Sequence, residues 1–280
     1  VRRLAAECDV LIENFKPGTM EKWGLGFDDL ARDNPGLIML RISGYGQTGP
    51  YRDLPGFGAI GEAMGGLRHL TGEPDRIPVR CGISIGDTLA ALHGTIGVLM
   101  ALYHRKVNGG QGQVIDCAMS DGAASLMAMF YGFKAGGMWN EGRRTNLLDG
   151  GAHFYDTYET KDGKWISLGS IEPQFYAILR EKAGLTDAAF DAQMDKSKWP
   201  ELKKKVMDVI KTKTQAEWNE IMEGTDICYA PVLSMADAPT YKHNVDRGTF
   251  VEIEGVVQPA PAPRDRPRRA PAVAATPVFR

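Results

Sequence analysis

The chain has 280 residues, 43% of them hydrophobic and 24% charged, with a net charge of −2. That length buries a sizeable core and suits one large domain with a smaller one, and the balanced charge leaves no footprint for nucleic acid or a membrane surface. No segment reads as a signal peptide, and Gly94, Gly97 and polar flanks interrupt the longest apolar run short of a bilayer span, so a cytoplasmic location is expected.

A helix over residues 1–7 leads into the strand Val10–Glu13, the turn Asn14-Phe-Lys-Pro-Gly18 and a helical turn near residues 20–23. The chain opens inside a structural unit, so an N-terminal portion of the domain is expected to be missing. Residues 27–32 read as a second helix that ends at Asn34-Pro35, and residues 37–42, Leu-Ile-Met-Leu-Arg-Ile, as a buried strand. After a long loop, the apolar run over residues 88–102 reads as a buried helix with Asp87 at its N-cap. The turn at residues 108–112 and a strand over 113–117 follow. Strands that alternate with helices predict a parallel sheet. The Met- and Ala-rich stretch 120–138 reads as helical core packing.

From residue 153 the texture changes. Residues 153–160 and 164–168 predict a β-hairpin that turns at Asp162-Gly163. Helices are expected over 173–182, with Pro173 in the first turn, over 200–211 and over 216–223, the last with Thr214 and Glu217 in capping-box spacing. A strand over 227–233 is expected to return the chain to the first domain. The domain reading is therefore a large domain over 1–150, a small α+β domain over 151–226, a return segment over 227–258 and a disordered tail over 259–280, rich in Pro, Arg and Ala.

The four cysteines lie far apart and read as buried thiols in a reducing compartment. The five histidines show no metal spacing, so no metal is expected. Gly44-Tyr-Gly-Gln-Thr-Gly49 matches G-x-G-x-x-G after a strand, but Pro50 and Pro55 bracket a loop where a dinucleotide site needs a helix. Lys16, Lys22 and Arg41 fall near the carboxyl ends of the first two strands, where an open α/β sheet binds ligands; they suit a phosphorylated ligand or stand as solvated charge. Asp87 at a helix start is held ionised, which fits a nucleophile, a base or a plain structural cap.

Long motifs in order carry a resemblance: Asp9-Val-Leu-Ile-Glu-Asn-Phe-Lys-Pro-Gly18, Ser43-Gly-Tyr-Gly-Gln-Thr-Gly-Pro50, Gly86-Asp87, Gly109-Gly-Gln-Gly-Gln-Val114, Asn146-Leu-Leu-Asp-Gly-Gly151, Phe154-Tyr-Asp-Thr-Tyr158 and Ile171-Glu-Pro-Gln-Phe-Tyr176. Over residues 5–255 the chain resembles the class III CoA-transferase superfamily, which includes formyl-CoA and carnitine CoA-transferases and α-methylacyl-CoA racemase. The resemblance implies an α/β fold with a Rossmann-like large domain, an interlocked homodimer, and coenzyme A handled as a substrate moiety with no permanently bound cofactor. It matches Asn14, Phe15, Lys16, Pro17, Lys22, Trp23 and Tyr45 to CoA-contacting segments, Asp87 to the catalytic carboxylate and Glu172 to a carboxylate that supports it in racemases.

Two branches compete. Racemases carry a base histidine in the loop after Thr-Gly-Pro, where this chain has Phe57, whereas residues 136–176 look racemase-like. Inversion at an α-carbon needs a base on one face and an acid on the other, and phenylalanine is neither. CoA transfer needs one nucleophilic carboxylate, which Asp87 supplies. The expectation is a CoA-transferase that moves CoA between an acyl-CoA and a carboxylic acid, with a racemase-like isomerase of 2-methylacyl-CoA as the alternative. A catalytically silent CoA-binding fragment is the third reading.

Overall fold

The structure, a computed structural model, describes residues 1–264. It divides into two compact units that meet in sequence at Ala152 and His153.

In the first unit the helices α1 (Arg2–Ala5), α2 (Thr19–Lys22) and α3 (Phe27–Leu30) alternate along the chain with the strands β1 (Val10–Glu13) and β2 (Ile38–Ser43). Next come α4 (Gly58–Met64), a 3-10 turn at Leu67–Leu70, α5 (Ile85–Val107), β3 (Gln113–Ala118), α6 (Met119–Ser125) and α7 (Ala128–Ala135). The sheet runs β1-β2-β3, all parallel, with Val10 beside Ile38 and Ile38 beside Gln113. Its central strand is the most apolar, and Ile38, Met39 and Leu40 are buried, as a strand covered on both faces requires. Ala5, Leu30 and Leu37 pack together in one cluster, and Leu40, Ala90 and Cys117 in another under α5.

Helix α5 departs from the expected buried rod. It lays Leu89, Ala90, Gly94 and Ala101 inward, while Leu92, Ile96, Leu99, Met100 and Tyr103 stay exposed. The glycines expected to break the apolar run instead seat it: a Cβ on Gly94 would lie 2.8 Å from Leu40 Cδ2, and one on Gly97 3.0 Å from Ile115 Cγ2. Uninterrupted, α5 is long and apolar enough by length and composition to cross a membrane. It stops where Gly109 and Gly110 take positive φ, after a last turn whose Arg105 donates to Gly36 O (2.7 Å) and Asp9 Oδ1 (2.6 Å).

In the second unit β4 (Tyr155–Glu159) and β5 (Trp165–Gly169) form the expected hairpin, with Gly163 at φ 74° in its turn. There follow α8 (Pro173–Ala183), α9 (Trp199–Ile210), α10 (Gln215–Met222), β6 (Tyr229–Val232), α11 (Lys242–Arg247), β7 (Phe250–Ile253) and β8 (Val256–Pro259). Thr214 and Glu217 make the full capping box of α10. The strand expected to lead back to the first domain is β6, and it pairs antiparallel with β5, Ser167 beside Ala230. An open edge on β5 lies closer in sequence than any edge of the parallel sheet, and β6 satisfies its backbone groups there. The tail expected over 259–280 falls from residue 265 onward outside the described residues; its first residue, Pro259, is the last of β8, which pairs with β7. The cysteines are all free, but Cys8 and Cys228 are exposed and Cys117 alone is fully buried.

Candidate active site

Asp87 is not the N-cap of α5. Ser84 holds that position, in extended conformation, and the helix begins at Ile85. Asp87 is thus the third helical residue, still inside the first turn where the dipole favours a carboxylate. Ser84 spends its hydroxyl on the Asp87 side chain, donating to Oδ2. The Ser84-x-x-Asp87 spacing, a hydroxyl residue three before an acidic one, is the sequence signal that would have set the start correctly.

Two glycines bring backbone against this turn. A Cβ on Gly58 would overlap both Asp87 Oδ2 and Ser84 Oγ, and one on Gly86 would sit 2.7 Å from Gly58 Cα. Gly86 therefore packs its backbone directly against the first residue of α4. From α4 the buried Glu62, 3% exposed, sends Oε1 to the Gly86 N–H at 3.2 Å. Its other oxygen lies 3.4 Å from Arg68 Nη2, which also donates to Ala59 O at 2.7 Å. Glu62 escaped the sequence reading, because a glutamate in a glycine-rich loop has no periodicity to mark it as buried.

Asp87 lines a cavity of about 410 Å³ together with Asn14, Phe15, Lys16, Pro17 and Tyr45, and with Arg52 and Phe57. The first four follow the carboxyl end of β1 and Tyr45 follows that of β2, the edge at which α/β sheets bind ligands. Lys22 and Trp23 stand outside the lining, both exposed; Trp23 meets Phe15 edge to face at 5.1 Å.

Arg41 is not a cation offered to a ligand. It is buried in β2, donating from Nε to Glu13 Oε1 (2.7 Å) and from Nη1 and Nη2 to Glu21 (2.5 and 3.1 Å). Hydrogen bonding from Arg41 holds the Glu21 carboxyl below its usual range. Glu13 Oε2 in turn accepts the Phe15 N–H at 2.7 Å, so this ion network fixes the wall from Asn14 to Pro17 from below. The G-x-G-x-x-G run has a packing use as well: a Cβ on Gly44 would lie 2.7 Å from Gly56 Cα, and no helix begins within it.

Glu172 belongs to the second unit. It is the N-cap of α8, exposed, and makes no capping hydrogen bond. Of the histidines, His69 lines a different cavity of about 240 Å³ with Met127, Phe130 and Trp139. His153, in the second unit, is 0% exposed, with Nε2 2.7 Å from the Tyr176 hydroxyl. Burial, reinforced by Lys203, lowers its pKa to about 4. Among the described residues no three His, Cys, Asp or Glu side chains gather as a metal site.

The family model described as CoA-transferase family III matches residues 1–277. The chain is 41% identical to mouse alpha-methylacyl-CoA racemase over 276 residues, covering 98% of this chain and 71% of that protein. It is 47% identical to the succinyl-CoA–D-citramalate CoA-transferase of Chloroflexus aurantiacus over 192 residues, 68% of this chain and 47% of that protein. Among solved structures, a CAIB/BAIF family protein from Brucella suis superposes with a TM-score of 0.79 at 28% identity, covering 95% of this chain and 71% of that one.

Proposed function

This chain belongs to CoA-transferase family III, and from that premise we propose that it moves CoA from an acyl-CoA thioester to a free carboxylic acid, with Asp87 as the covalent carboxylate. An Asp87 oxygen attacks the thioester carbonyl and expels CoA thiolate, leaving an acyl-aspartyl anhydride. The thiolate then attacks the aspartyl carbonyl, releasing the first acid and leaving an aspartyl-CoA thioester. The acceptor carboxylate reverses both steps and departs as the new thioester. The observation that carries this reading is the cavity itself. Asp87 shares it with Asn14, Phe15, Lys16, Pro17 and Tyr45, which supply the cradle for CoA, and with Phe57, which has no proton to give or take.

A second reading, α-carbon racemisation, draws on the similarity to mouse alpha-methylacyl-CoA racemase over nearly the whole chain. Phe57 stands where racemases carry the base histidine. His153 is fully buried and engaged with Tyr176, and His69 lies on another cavity. The silent CoA-binding fragment is the outcome in which CoA binds and nothing turns over. The assembly is a homodimer, supported by the exposed apolar face of α5.

The deciding experiment treats the protein with acyl-CoA, traps with hydroxylamine and maps the label by mass. Label at Asp87, lost in Asp87→Asn with CoA binding retained, is expected. Rapid α-deuteration of a 2-methylacyl-CoA in deuterated water, without any adduct, would falsify the transferase reading and promote the racemase.

A further inference from the structure

Glu62 has no place in the chemistry above, yet it is among the few acidic side chains that are fully buried, and it reaches the turn that holds Asp87. Buried carboxylates are retained where they satisfy specific donors. Here those donors are the Gly86 N–H at 3.2 Å and Arg68 Nη2 at 3.4 Å. The Gly86 N–H is one of the first backbone donors of α5, which no carbonyl within the helix accepts. The peptide after it leads directly into Asp87. Around this contact the packing is backbone to backbone: Gly58 against Gly86, and Gly61 of the same helix against Met119, where a Cβ would lie 2.9 Å from the Met119 carbonyl carbon. With glycine on the α4 side of each of these contacts, the Glu62 bond to the Gly86 N–H adds a directional constraint on the spacing.

We infer that Glu62 is a positioning residue for the reaction: it anchors the Gly86-Asp87 turn to α4 and so fixes the Asp87 carboxylate in the cavity. This rests on Asp87 being the covalent carboxylate. Arg68 acts behind Glu62, tying its second oxygen to the start of α4 through the Ala59 carbonyl. The role needs an acceptor at the Glu62 position, not a proton donor or a negative charge.

The test compares two substitutions of nearly equal volume. Glu62→Gln keeps an oxygen for the Gly86 N–H, and Glu62→Met removes it. Single-turnover acylation by acyl-CoA is followed by intact mass at saturating substrate, beside CoA affinity by calorimetry. The Gln variant is expected within about threefold of wild type; the Met variant is expected to acylate at least tenfold more slowly, with CoA affinity unchanged. A folded Met variant that acylates at the wild-type rate would overturn the assignment, as would a Gln variant that falls as far as Met. Amide exchange of the Gln variant is the second measurement, independent of whether the Met variant folds: Gly86 stays protected, and an unprotected Gly86 with full acylation rules the anchor out. If the wild type itself never acylates, the parent reading fails, and Gly86 protection still judges the anchor.

Discussion

His153 makes the stability of the second unit depend on pH between the ordinary histidine range and about 4. Its ring lies against Phe154, Tyr176 and Phe190 with centroids 5.0, 5.5 and 5.7 Å away. The Tyr176 hydroxyl donates its proton to Phe190 O at 3.0 Å, so Nε2 of His153 carries the ring's single proton and donates to the tyrosine oxygen. Nδ1 is buried without a partner. Protonating it would place a charge and an unmatched N–H in an apolar core, which is why the pKa falls to about 4. The unfolded chain binds this proton near pH 6.5 and the folded chain only near 4, so the unfolded state holds more protons between those values. Stability is therefore complete above pH 6.5 and is lost as pH falls toward 4, by roughly 2.5 kcal/mol at pH 4.5. Carboxylates held low by their partners, such as Glu217 by the Thr214 N–H, add losses of the same sign at lower pH. The measurement is therefore a difference: urea unfolding of wild type and His153→Gln from pH 7.5 to 4.5. Glutamine keeps a polar partner for Tyr176 and does not titrate, so the gap between the curves should narrow by roughly 2.5 kcal/mol over that range. Parallel curves would refute the reasoning.

Gly58→Ala should slow single-turnover acylation at least tenfold, measured by intact mass, because the added methyl overlaps Asp87 Oδ2; as alanine favours helices, an unchanged rate would show that the turn yields freely. Arg41→Met should destabilise the fold by roughly 3–5 kcal/mol in chemical denaturation, since it strands Glu13, whose side chain is 2% exposed. Adding Glu13→Gln should recover part of that loss, and a single-variant effect below about 1 kcal/mol would contradict the pairing.

Much of the fold was legible because local pattern and tertiary role agree. The apolar runs at Val10–Glu13 and Ile38–Ser43 are strands in a parallel sheet, and Thr214 with Glu217 caps a helix as its spacing demands. What was not legible depends on partners distant in sequence. An all-apolar helix reads as buried on every side, yet α5 rests on the sheet by one face only. Arg41 reads as a free cation until Glu13 and Glu21, 28 and 20 residues earlier, close around it. The edge that β6 chooses is likewise a tertiary decision. At the site, the residues after β1 and β2 meet Asp87 because strand ends in a parallel sheet share one side. Glu62 stayed hidden because burial of a lone glutamate leaves no trace in spacing.

The parallel sheet also sets an order of events. Joining β3 to β2 closes a connection of about seventy residues, whereas β4 and β5 close a five-residue turn. Loop-closure entropy alone sets the longer closure back by roughly 2 kcal/mol relative to the shorter. The second unit's hairpin can form from its local contacts, while β2 and β3 wait for α5 to be laid down between them. The carboxylate of Asp87, at the head of that helix, thus reaches its place late in folding. On refolding from denaturant, recovery of acylation should lag behind recovery of the hairpin.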